Sequence, residues 1–338
     1  MDCDEQEVSD PASAGAAVAP APGTIAGPVP EAAPYPAPEA AIRLDAVVRK
    51  QGAFTLGPLD MAVPSGLVTG FVGPNGAGKT TAIKAMLGMV DVESGSIRVL
   101  GAAPGARHDR IGVVMDAVAL PPEWTATAAA RNLGRFYPDW DQILFKDLLR
   151  RLDVPSGVRV KDLSRGQSVK LQLALALAHR PELLILDEPT SGLDPVARLE
   201  VLDVFRDFLI EEGRTILFST HITSDLERIA DHLHIIGGGR TCFEGPMTDL
   251  AEQWAMARGP VSALTPEAEA ALVGARRGSA GTFSGLIRVS DTAAFGPDVL
   301  IEAPSTDEAV AAMTRDSRSD SLRPQSSPAA SAAPAQEH

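Results

Sequence analysis

Apolar residues along the middle of the chain gather in short runs bounded by glycine, proline or charge. These runs predict strands over 42–47, 68–72, 96–99, 111–114, 183–186, 215–219 and 233–236. Apolar runs without polar alternation are the mark of strands covered on both faces. Helical periods follow several of them, so the expected fold is α/β with a mainly parallel core sheet. One stretch, 168–179, alternates apolar and polar residues as a strand would. Its length and its content of Leu, Ala, Gln and Lys predict a helix instead. From about 117 to 165, helical periods recur without a clear strand, which predicts a helical insertion.

Beyond Pro246 the texture changes. A helix is expected over 247–258, strands over 283–289 and 299–302, and a helix over 305–313. This is a small α+β appendage. Residues 1–40 are mostly Ala, Pro, Gly and Glu and cannot build a core, so a disordered tail is expected there and a second over 316–338. The resulting division is a main domain over 41–246 and an accessory domain over 247–315.

Composition narrows the function classes. The formal net charge of −14 over 338 residues gives nonspecific nucleic-acid binding no electrostatic support. The two cysteines, Cys3 and Cys242, form neither a disulfide framework nor a metal-ligand spacing, which fits a reducing cytosol. The N-terminus lacks the basic-then-apolar build of a leader, and no apolar run approaches the ~20 residues that span a bilayer.

Between the strand at 68–72 and the next helical stretch lies Gly73-Pro74-Asn75-Gly76-Ala77-Gly78-Lys79-Thr80-Thr81. Strand, glycine-rich loop, Lys, Thr and helix make the phosphate-binding pattern GxxxxGK[ST]. Glycines admit positive φ and close approach to an anion. Successive N–H groups then converge on phosphate oxygens at the helix N-terminus. Lys79 adds charge for the outer phosphates, and the Thr80 hydroxyl is a hard ligand for Mg²⁺. Four fixed positions meet by accident in about one chain in a hundred of this length, and the strand and helix context weakens chance further.

The strand at 183–186 ends in Asp187-Glu188. Asp187 suits Mg²⁺, and Glu188 suits a group that polarises attacking water. Taken alone, two acids at a strand end are as often ordinary solvated residues. Leu163-Ser164-Arg165-Gly166-Gln167 opens the Leu/Ala helix: Ser164 reads as its N-cap, and the helix start is also a second anion site. One nucleotide cannot fill two distant phosphate sites in one domain, but two facing copies can share two nucleotides.

With these motifs in this order, the chain resembles the ATP-binding subunits of ABC transporters over about 42–245. The loop 73–81 matches GPNGAGKTT, and 163–167 resembles the LSGGQ signature with Arg165 in place of its third-position Gly. Asp187-Glu188-Pro189-Thr190 matches the Walker B end, Ser191-Gly192-Leu193-Asp194-Pro195 the D-loop, and Ser219-Thr220-His221 the switch histidine. The resemblance implies a P-loop NTPase of ABC type that hydrolyses ATP with Mg²⁺ and closes as a homo- or heterodimer to drive a separate transmembrane permease from the cytoplasmic face. It implies Glu188 as base, His221 and Lys79 at the γ-phosphate, and Thr80 and Asp187 at the metal. Ser164, Gly166 and Gln167 would reach nucleotide on the opposite subunit, and Asp194 would cross the interface. Phe136-Tyr137-Pro138-Asp139-Trp140-Asp141 and the appendage resemble a bacterial branch of drug, peptide and antibiotic-resistance exporters, including bacitracin-resistance and acetoin-utilisation systems.

Two positions depart from that pattern. Gln51 stands about where an aromatic stacks on adenine; either Phe54 substitutes through a shifted loop or adenine is held loosely. Where the family has Gln after the strand at 111–114, this chain has Asp116, either a hard-cation ligand or a solvated loop residue. A soluble ABC-like ATPase acting on ribosomes or DNA is a rival reading, but it lacks a second cassette, sustained heptads and basic charge here. A catalytically weak regulatory subunit is the other rival, motivated by Gln51, Asp116 and Arg165.

Overall fold

The computed structural model describes residues 39–117 and 120–321. The expected tails, apart from residues 39–40 and 316–321, lie outside the described residues.

Strand β1 (Ala40–Gln51) pairs antiparallel with β2 (Phe54–Pro64), then β3 (Val68–Val72) leads through the glycine loop into helix α1 (Lys79–Met86). Strand β4 (Ser94–Val99) returns to the other edge of β1, giving a three-stranded sheet ordered β2-β1-β4. The chain continues as β5 (Ile111–Val114), α2 (Ala126–Leu133), α3 (Gln142–Arg151), α4 (Arg165–Leu177), β6 (Leu183–Asp187), α5 (Pro195–Phe208), β7 (Thr215–Thr220), α6 (Thr223–Ile229), β8 (His232–Gly237) and β9 (Arg240–Pro246). The core sheet runs β5-β6-β7-β3-β8-β9, parallel throughout except for the β8–β9 hairpin.

Both faces of this sheet are covered, which explains its continuous apolar strands. Leu184 and Leu186 enter the cluster formed with α2–α6, whereas Leu183 and Ile185 enter the one formed with β1, β2, β4 and α1. Helix α4 is buried all round from Ser168 to Leu177, so no one-sided pattern is required of it. That is why its sequence alternates without being a strand. As expected, the insertion before α4 is helical.

The accessory region comprises α7 (Met247–Gln253), β10 (Trp254–Pro260), α8 (Pro266–Ala271), β11 (Val273–Arg277), β12 (Thr282–Arg288), β13 (Leu300–Glu302) and α9 (Thr306–Ser321). Its antiparallel sheet is ordered β11-β12-β10-β13. Here the structure corrects the helix expected over 247–258. The helix stops at Gln253, and Trp254, Ala255, Met256 and Ala257 form a buried central strand paired with β12 and β13. Pairing on both edges outweighs the helical preference of Ala and Met. The last helix also continues beyond residue 313, to Ser321.

Strand β2 escapes a sequence reading because Gly57-Pro58 in its middle reads as a turn. It is tolerated because β2 is the edge of its sheet, where a missing N–H costs no ladder bond.

Candidate functional site

The C-terminal ends of β3, β6 and β7 are adjacent, with Val72 in register with Thr220 and Asp187 with Ser219. This pairing brings together residues far apart in sequence. Gly78, the last loop residue, has φ 110°, and a Cβ there would lie 2.8 Å from Leu56 Cδ1. Gly73 is equally constrained, since a Cβ would lie 2.2 Å from the Ile236 carbonyl oxygen. The loop therefore needs glycine at both ends to fold back into α1.

Lys79 is 6 % exposed, and its Nζ donates to the Gly73 carbonyl at 2.7 Å. The same Nζ stands 3.3 Å from Glu188 Oε1. The other carboxylate oxygen, Oε2, accepts from His221 Nδ1 at 2.7 Å. Lys79, Glu188 and His221 thus form one continuous polar chain at the mouths of three neighbouring strands. A desolvated cation needs such partners.

Glu188 has φ 53°, a left-handed conformation that costs a non-glycine residue on the order of 1 kcal/mol or more. Its N–H donates to the Ser219 carbonyl at 3.0 Å, and its own carbonyl accepts from Ser191 N at 3.1 Å. These bonds hold the strained turn that aims the carboxylate between Lys79 and His221.

Beside this chain, Asp187 is 1 % exposed and accepts from Thr80 Oγ1 at 2.8 Å on one oxygen and from Ser219 Oγ at 2.7 Å on the other. A carboxylate and a hydroxyl at this separation are a hard-oxygen pair that suits Mg²⁺. The role of Ser219 is not visible in the sequence. Its signal is the register of β6 with β7, which the linear chain does not display.

A cavity of about 640 Å³ opens over these groups. Its walls are residues 74–81, Gln51, Phe54, Asp116, Arg165, Glu188, Ser191 and His221. Gln51, at the position where the family has an aromatic, and Phe54, the expected substitute, both line it. Thr81 Oγ1 donates to Gln51 Oε1 at 3.5 Å, and the Phe54 ring packs against Gly78, its Cζ 3.1 Å from where a Cβ would stand.

The remaining expected site residues divide. Asp116 lines the cavity, but its carboxylate pairs with Arg165 at 2.8 Å rather than with Thr80 or Asp187. Arg165 also donates from Nε to the Ser191 carbonyl at 3.1 Å. Within one chain, Arg165 is the signature residue that reaches the phosphate loop's cavity, while Ser164, Gly166 and Gln167 are not on its wall. Ser164 and Gln167 form a reciprocal capping box at the start of α4, each bond 3.1 Å. Asp194 caps α5 by accepting from Val196 N and Ala197 N, both at 3.0 Å. The Ala197 amide above all, then that of Val196, holds its carboxyl below the usual range against partial desolvation.

The ABC transporter family model matches residues 56–191. The Nod factor export ATP-binding protein I of Neorhizobium galegae is 42 % identical over 203 residues, covering 57 % of this chain and 58 % of that protein. Its counterpart in Rhizobium johnstonii is 38 % identical over 223 residues, covering 63 % of this chain and 71 % of that protein. The chain thus spans less than two thirds of the length of the first of these relatives. Among solved structures, an ATP-binding subunit of an ABC transporter superposes with a TM-score of 0.57 at 25 % identity, covering 63 % of this chain and 92 % of that one.

Proposed function

The chain belongs to the ABC transporter ATP-binding family, and from that premise we propose that it hydrolyses ATP as the motor subunit of a transporter, an exporter by the names of its relatives. The observation that carries this reading is the continuous chain Lys79–Glu188–His221 beside the Thr80–Asp187 pair. It supplies an anion-binding cation, a base and a hard-oxygen pair around one cavity.

In this reading the loop amides of 74–81 and Lys79 hold the β- and γ-phosphates. Thr80 and Asp187 would hold Mg²⁺, which on binding offsets charge on the phosphate oxygens. Glu188 accepts the proton of a water as its oxygen bonds to the γ-phosphorus, and the bond from that phosphorus to the bridging oxygen breaks to release ADP. His221 keeps the Glu188 carboxylate aimed and offers a donor toward the transferred group. Phe54 supplies an aromatic face for adenine.

We further propose that two copies, or this chain and a related one, face each other so that Ser164, Gly166 and Gln167 meet nucleotide on the opposite subunit. Apart from the long Arg165 side chain, the signature residues Ser164, Gly166 and Gln167 lie off the cavity wall of their own chain, which supports this arrangement. No described helix is long and apolar enough to cross a membrane. Because its relatives are export ATP-binding proteins, we propose that a separate permease provides the path and that this chain sits at its cytoplasmic side. The division at about 246 into cassette and accessory region belongs to the same reading.

Phosphate release by the purified chain with Mg-ATP tests the proposal. Wild-type turnover should disappear in Lys79→Ala, together with most ATP binding. A Lys79→Ala variant with normal turnover would overturn the site assignment.

A further inference from the structure

We propose that Asp307, in the accessory region, is a positioning residue for the His221 loop, so that the last helix sets the competence of the ATP site. The inference rests on the ATPase reading above.

The loop in question is short. Strand β7 ends at Thr220, His221 follows, and α6 begins at Thr223. Upstream the loop is fixed, because Thr220 is fully buried and in register with Val72 of β3. A further bond, from Ile222 N to Thr220 Oγ1 at 2.9 Å, closes the turn around His221. Downstream, the N-cap residue of α6 is Ile222, which has no side chain able to cap. The next residue, Thr223, is 5 % exposed, and its hydroxyl donates to the Asp307 carboxylate on α9. The anchor that α6 lacks locally is supplied by a residue 84 positions away.

Helix α9 is itself held firmly enough to act as an anchor. Ala309 and Ala312 are fully buried, and with Met313 they share an apolar cluster with Leu226 of α6 and with Leu233 and Ile235 of β8. Strand β11 presses on its other side, so closely that a Cβ on Gly274 would lie 2.1 Å from the Ala312 carbonyl oxygen. Arg258 of β10 binds Glu308, the neighbour of Asp307, and Glu302 of β13. The accessory sheet therefore fixes the start of α9, the start of α9 fixes Thr223, and Thr223 stands two residues from the histidine that holds Glu188. A displacement of catalytic groups by about 1 Å is enough to cost up to ~100-fold in rate. A loosened His221 loop should therefore show in turnover before it shows in binding.

A purely structural bond would lower stability and leave turnover alone. The test compares full-length wild type with Asp307→Ala, Asp307→Asn and Thr223→Val, reading kcat and KM for ATP and the hydrogen exchange of segment 215–226. Asp307→Ala and Thr223→Val should lower kcat several-fold with KM within twofold. They should also speed exchange in 215–226 but not in 68–86. Asp307→Asn keeps an acceptor for the Thr223 hydroxyl and should retain at least half of the wild-type kcat. Unchanged kcat with unchanged exchange in Asp307→Ala would overturn the inference, as would an equal loss in Asp307→Asn. If wild type binds ATP without turning it over, the ATPase reading fails separately. Exchange then decides, with equal protection of 215–226 in wild type and Asp307→Ala overturning the coupling.

Discussion

Arg165 donates to the Asp116 carboxylate at 2.8 Å on the wall of the cavity over the glycine-rich loop, joining the start of α4 to the end of β5. Both side chains are more than half exposed, so the pair stabilises the fold by less than ~1 kcal/mol. Its consequence would lie in the site: if Asp116 serves as the hard-cation ligand the sequence offers, the pair competes with the cation for its carboxylate. Arg165→Gly should leave the melting temperature nearly unchanged and lower the Mg²⁺ concentration for half-maximal ATPase activity by a few-fold. Adding Asp116→Asn should cancel that gain. A magnesium titration with the same midpoint in all three proteins would remove Asp116 from metal binding.

Substitution separates Phe54 stacking on adenine from adenine held without it. Phe54 presents an aromatic ring beside Gly78, whereas Gln51 offers an amide that already accepts from Thr81. Base–aromatic stacking is worth about 1–3 kcal/mol, so Phe54→Ala should raise KM for ATP roughly tenfold at a similar kcat. Gln51→Ala should change KM little. The opposite ranking in steady-state kinetics would move adenine onto Gln51.

Two histidines make stability pH-dependent. Burial pushes the His179 pKa below its ordinary value, with the ring stacked on Tyr137 at 4.1 Å and hydrogen-bonded to the Ile111 carbonyl. Burial also lowers that of His232. Both are favoured neutral in the folded chain, while the unfolded chain takes up protons below about pH 6.5. The stability they contribute is therefore present above about 6.5 and is lost as pH falls toward their folded values. Melting temperature should drop on acidification through this window, and His179→Gln, which keeps a donor toward Ile111, should make the drop shallower. An identical slope in wild type and variant would assign the effect elsewhere.

The phosphate loop, Asp187, Glu188 and His221 are legible in the sequence because each sits at the end of a continuous apolar strand. Parallel strands covered on both faces leave only their ends for chemistry, so motif and architecture announce each other. Ser219 is not legible in the same way, since its role depends on which strand neighbours β6. The reach of Arg165 is hidden too, because a long side chain at a helix start can turn toward either chain of a pair. In the accessory region the linear pattern misleads outright: the Trp254–Pro260 strand has helix-forming residues, and only its partners on both edges make it extended.

The decisive experiment on the mechanism concerns Glu188. Its strained backbone and its two contacts, Lys79 Nζ at 3.3 Å and His221 Nδ1 at 2.7 Å, place the carboxylate between cation and histidine. Glu188→Gln keeps shape and hydrogen-bonding reach but removes the capacity to accept a proton. Hydrolysis should fall by at least ~100-fold, the scale of a general base. ATP binding should survive, because Lys79, Thr80 and the loop amides are untouched. If the Ser164 helix start serves the opposite subunit, unhydrolysed ATP should then hold two chains together. Light scattering after size exclusion should give a dimer with Mg-ATP above its dissociation constant and a monomer without it. A variant that binds ATP yet stays monomeric would exclude closure between two copies of this chain, leaving a related subunit as the partner. One that hydrolyses ATP at the wild-type rate would remove Glu188 from the reaction.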